Sequence, residues 1–164
     1  MATKPALGIA LAVLALVHGA RAADPQAAAE QLPSGAAAKL VSISPAAPAV
    51  SLTVITQAVV VRESGPSQSV ERFGETYVFS PSVILVHRDE PIRLTFRNLQ
   101  PDDLHDFELL DSGSAPLMHV MLPPLSDRSY TLVFHEEGLF RFLCTLHQPV
   151  MSGQILVLPQ QRHG

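Results

Sequence analysis

Cys144 is the only cysteine of the chain, and it stands in the run Cys144-Thr145-Leu146-His147-Gln148-Pro149-Val150-Met151. A thiol, an imidazole and a thioether follow one another at the spacing C-x2-H-x3-M. Soft sulfur donors combined with imidazole select copper among the common biological metals. One further histidine completes two imidazoles, a thiolate and a weak axial thioether, the donor set of copper centres that pass single electrons. His105, in Leu104-His105-Asp106-Phe107, is the candidate. Zinc is the chemical rival, but structural zinc sites take four strong nitrogen or sulfur ligands, and a thioether argues against it. The plainer alternative for the cysteine alone is a small buried hydrophobe.

Such donors meet only if the chain brings distant segments together. From about Thr53, short β-branched and aromatic runs recur between Gly, Pro, Asp and Asn clusters. They are Thr53–Arg62, Glu75–Phe79, Val83–His87, Ile92–Asn98, His105–Leu110, Leu117–Met121, Tyr130–His135, Leu139–Cys144 and Gln154–Leu158. Ile92, Leu94 and Phe96 alternate with Arg93, Thr95 and Arg97; Tyr130, Leu132 and Phe134 repeat the pattern. Short strands at this spacing predict an all-β, antiparallel sandwich or barrel of about eight strands. Strand parity puts Cys144 on the face of Phe140 and Phe142, and His105 on the face of Phe107 and Leu109. Both donors then project inward at one pole, and His147 and Met151 follow in the loop before the last strand.

The 164 residues allow one domain of ordinary size. Lys4, the apolar run Ala6 to Val17 and Ala20-Arg21-Ala22 read as a secretory signal peptide over residues 1–22. The run is too short for a transmembrane helix, so no membrane anchor is expected after cleavage. Residues 23–52, rich in Ala and Pro, read as a flexible linker, and 53–164 as the folded domain. Cleavage removes Lys4 and Arg21 and no acid, which takes the formal charge from −4 to −6 and argues against nucleic acid as a partner. Export gives the lone cysteine meaning, because thiols in oxidising compartments usually pair. An unpaired one there implies an intermolecular bond, a reactive thiol or a metal ligand.

With these motifs in place, the chain from about Glu75 to Leu158 resembles the cupredoxins, the plastocyanin and azurin superfamily. Phe79-Ser80-Pro81-Ser82-Val83-Ile84-Leu85-Val86 resembles the family's early strand, and Pro91 to Asn98 the next, ending in the usual Asn. His105-Asp106-Phe107 resembles the first histidine motif. Glu137 to Thr145 resembles the turn and strand leading into the cysteine, and Met151 to Val157 the exit from the ligand loop. The resemblance implies a Greek-key β-sandwich with one mononuclear type 1 copper, bound by His105, Cys144, His147 and, weakly, Met151. It implies a carrier rather than an enzyme: a periplasmic, monomeric protein moving electrons between redox partners such as a cytochrome or a copper enzyme. These would dock near His147, where Leu146, Pro149 and Val150 could form an apolar patch. The final gap is shorter than in plastocyanin, and the first gap shorter than in azurin. Asp106 stands where many relatives carry Asn, a position that commonly ties the two ligand segments by a hydrogen bond. An ionised Asp106 would favour the more positive metal state and lower the potential; the alternative is a solvated strand-end carboxylate.

Met118-His119-Val120-Met121 is a second metal-like cluster, open to reading as an auxiliary copper site or as packing. With it comes a second function, a copper carrier or chaperone that delivers metal to another protein. A module that has lost redox work and only binds a protein is the third. Asp102, Asp103, Asp106, Glu108 and Asp111 form an acidic stretch that could steer a basic partner. His87 and His135 read as surface residues, and His163 has no evident partner. No nucleophile triad, phosphate loop or paired-carboxylate motif points to an enzyme.

Overall fold

Alternation of apolar and polar side chains builds the sheets of this protein. In β5 (Ile92–Asn98), Ile92, Leu94 and Phe96 are buried while Arg93 and Arg97 face solvent. The computed structural model describes residues 30–59 and 76–161. The other strands are β1 (Val41–Ile43), β2 (Val50–Val59), β3 (Thr76–Ser80), β4 (Val83–His87), β6 (His105–Leu110), β7 (Pro116–Leu122), β8 (Asp127–Phe134), β9 (Gly138–Leu143) and β10 (Ser152–Leu158). A single helical turn, α1 (Ala37–Leu40), precedes β1. The strands form two five-stranded sheets, in the orders β1-β8-β5-β2-β3 and β4-β10-β9-β6-β7. The inward faces share one core, in which Phe107 lies 4.1 Å from Phe96 and 5.3 Å from Phe142 between ring centroids. Each such ring contributes about 1.5–3 kcal/mol through burial, so this aromatic cluster is a main anchor of the interior.

The expected all-β sandwich is present, with three differences in detail. Ten strands are seen among the described residues where about eight were expected. The tenth is β1, too short and too close to Pro45 and Pro48 to stand out from an Ala-rich stretch. It lies within 23–52, the stretch expected to be a flexible linker. There Val41 is fully buried, β1 pairs with β8, and Gln31 forms an isolated bridge with His119. The pairing is also mixed: β2 runs parallel to β5, and β4 parallel to β10, because their connections cross between sheets. The signal peptide read over 1–22, residues 60–62 of the first expected strand, and His163 lie outside the described residues. No helix of the described residues is long and apolar enough to cross a membrane.

One pole of the sandwich gathers the ends of β5, β7 and β9 and the starts of β6, β8 and β10. Asn98, at the end of β5, is buried there and ties the pole together. Its Nδ2 donates to the carbonyl oxygens of Asp103 (2.8 Å) and Leu122 (2.9 Å). Its Oδ1 accepts from Thr56 Oγ1 and from the Gln100 amide, both at 2.9 Å. The segment leading into His105 is thereby fixed to β2, β5 and β7. Across the pole, β10 packs closely on β9. A Cβ on Gly153 would run into the Phe142 ring and the Ser82 carbonyl oxygen. Only glycine lets the chain leaving Met151 approach the strand that ends beside Cys144.

Candidate metal centre

His105 opens β6 with its ring turned into the core, as its parity with Phe107 and Leu109 requires. Cys144 directly follows β9, on the side of Phe140 and Phe142, and is fully buried. His147 comes from the loop between β9 and β10 and is half-buried. The three donor atoms converge. His105 Nδ1 lies 3.1 Å from His147 Nδ1, while Cys144 Sγ lies 3.5 Å from His147 Nδ1 and 3.9 Å from His105 Nδ1. Among the described His, Cys, Asp and Glu side chains they are the one group placed to hold a metal ion, all within 4.8 Å of one another. A point equidistant from the three atoms lies about 2 Å from each, the length of metal–imidazole bonds and close to that of metal–thiolate bonds. Donor types, spacing and burial therefore fit a soft transition metal.

The loop is tied into this shape by its own backbone. The Cys144 amide donates to the Met151 carbonyl oxygen (2.9 Å), and the Met151 amide to that of His147 (3.2 Å). Gln148 Nε2 donates to the carbonyl oxygens of Cys144 (2.7 Å) and Met151 (3.2 Å), closing the loop from its centre. Met151 is fully buried at the end of this loop. Tyr77 of β3 packs edge-on against both imidazoles, with ring centroids 4.7 Å from His105 and 4.7 Å from His147, and its hydroxyl donates to Asp103. The motif reading missed Tyr77 and Gln148, since neither stands at a ligand position. Parity alone could have placed Tyr77 inward, beside Phe79 on the same strand.

The environment suits neutral or metal-bound donors. Burial, and next the neighbouring His147, push His105 down to about 4. Burial is also the main cause that pushes the Cys144 thiol up to about 12. A metal entering the site must therefore displace the thiol proton.

Asp106 is not the solvated strand-end carboxylate that was one reading of it. It is buried, and its Oδ1 accepts from the Thr145 amide at 2.6 Å. Its Oδ2 accepts from the Thr145 hydroxyl and faces His119 Nε2 at 2.9 Å. The carboxylate thus ties the His105 strand to the residue after Cys144. In the second metal-like cluster, Met118 packs in the core, while the His119 ring lies on the other face of β7 and meets Asp106. His87 and His135 sit at the far strand ends, where His87 Nδ1 meets the Pro159 carbonyl oxygen and His135 Nδ1 meets Asp89.

No protein-family model and no curated protein matches the sequence. Solved structures do match in shape. Auracyanin B aligns at a TM-score of 0.52 and 15% identity, over 74% of this chain and 99% of its own. A reduced amicyanin variant aligns at 0.44 and 18% identity, over 73% and 99%. Auracyanin A, described as a "blue" copper protein from the green thermophilic photosynthetic bacterium Chloroflexus aurantiacus, aligns at 0.46 and 11% identity, over 66% and 98%. The chain has the cupredoxin fold.

Proposed function

We propose that this chain, a cupredoxin by fold, is an exported one-electron carrier whose single copper is held by His105, Cys144, His147 and Met151. The observation that carries the reading is the convergence of two imidazole nitrogens and the only cysteine sulfur at one buried pole. Copper bound there would supply exchange of one electron between Cu(II) and Cu(I), without a change of bonding in any partner.

The chain's own residues make that exchange easy. His105 and Cys144 are held by strands, and the loop that carries His147 and Met151 is cross-braced through Gln148 and Asp106. A site so constrained moves little when its charge changes, and little movement means a low barrier. Tyr77 and the core seal His105 from water, whereas His147 reaches the surface. Around it Leu146 and Val150 are exposed, 51% and 46%, with Pro149 between them. We assign this apolar collar as the docking face for a redox protein and His147 as the route through it. The signal-like N-terminus supports a periplasmic setting, in which the single unpaired cysteine is accounted for as a metal ligand.

Delivery of copper to another protein is the competing activity, and one experiment separates the two. Copper-loaded protein is cycled between Cu(II) and Cu(I) electrochemically in the presence of a copper(I) chelator of moderate affinity. A carrier of electrons cycles reversibly and keeps its metal. Loss of copper to the chelator on the first reduction would overturn the electron-transfer reading in favour of delivery.

A further inference from the structure

A buried carboxylate needs partners for every lone pair that lost water. Asp106 has three, and two of them come from Thr145. The third is His119, across the sheet on β7. No Lys or Arg among the described residues makes an ion pair with Asp106; His119 is its one cationic-type partner. An ionised carboxylate only accepts, so His119 Nε2 must carry the proton of that contact. His119 is itself held in register, because its backbone amide and carbonyl bridge to Gln31 at 2.8 Å each. The chain of contacts therefore runs from the Gln31 segment through His119 and Asp106 to the residue that follows Cys144.

We infer that His119 is a positioning residue of the metal centre, acting through Asp106 to hold the Cys144 loop and to balance the carboxylate's charge beside the donors. The inference rests on the copper reading above. Asp106 holds Thr145 through both its amide and its hydroxyl, so the carboxylate lies one residue from Cys144 while standing outside the group of converging donors. Removing the His119 donor leaves more uncompensated negative charge at the site. More negative charge favours the more positive metal state, so the potential falls.

Two readouts on the full chain test this, one with copper and one without. In copper-loaded protein, His119→Ala should raise the ratio of Cu(II) to Cu(I) affinity by up to about tenfold, a fall in potential of up to about 59 mV for a one-electron couple. In metal-free protein, exchange of the Thr145 amide hydrogen should speed up about five- to tenfold, the scale of one ordinary net hydrogen bond. His119→Gln keeps an N–H donor and should restore the slow exchange. In an Asp106→Asn background, His119→Ala should change neither quantity. Wild-type exchange at Thr145 in His119→Ala overturns the inference, as does an equal shift in the Asp106→Asn background. If wild-type protein takes up no copper, the proposed function fails, while the Thr145 exchange still decides the role of His119.

Discussion

At Cys144 the thiol must give up its proton before sulfur can serve as an anionic donor, and burial resists that loss. Copper uptake should therefore weaken as pH falls, with a proton released for each metal bound. His105 adds a second pH effect in the metal-free protein. Burial and His147 lower its pKa from 6.5 to about 4, so the unfolded chain takes up a proton in that window which the folded chain refuses. Stability is then full above pH 6.5 and falls by roughly 3 kcal/mol as pH drops through the window. Urea unfolding of metal-free protein should show this slope, and His105→Gln should flatten it. A wild-type midpoint unchanged between these pH values would contradict the assignment. At Met151, proposed above as the weak donor, replacement by Leu would remove that donor and make the surroundings less polar, which disfavours the higher metal charge. Its potential should rise by on the order of 59 mV, one tenfold step in relative affinity, while the colour persists. Residues of this kind were legible because metal chemistry demands particular side chains at short spacing. Tyr77 and Gln148 were not, because their role depends on which distant backbone or ring they meet after folding.

Among the elements, β5 and β6 decide whether the donors meet. Asn98 connects them, and no other side-chain type both donates to the Asp103 and Leu122 carbonyl oxygens and accepts from Thr56 and Gln100 in that space. Asn98→Ala leaves buried carbonyls without donors and should cost about 2–4 kcal/mol in denaturant unfolding. It should also weaken copper binding, since the segment before His105 loses its clamp; a variant of unchanged stability would refute the clamp. The alternation along β5, β8 and β9 made these strands readable, and the bounds of β4, β5 and β6 match the sequence reading residue for residue. The pairing was harder. The parallel β2–β5 and β4–β10 ladders join segments far apart in sequence, and side-chain alternation does not distinguish a parallel neighbour from an antiparallel one. β1 escaped because three residues are too few for a period, although Val41 fills a place in the core.

For the whole molecule, the donors, the Asn98 clamp, the apolar collar and the Asp106–His119 brace all occupy one pole, while the rest of the sandwich holds that pole rigid. The sandwich class and the inward turn of His105 and Cys144 followed from periodicity and parity. The distances between the donors did not, because they depend on how the two sheets face each other. Together they make a claim about chemistry: the lone cysteine is a copper thiolate. The visible absorption spectrum of the protein loaded with Cu(II), compared with that of Cys144→Ser, tests it most directly. The wild type should show an intense thiolate-to-copper charge-transfer band that the serine variant lacks. A colourless wild type, or the same band in Cys144→Ser, would contradict it.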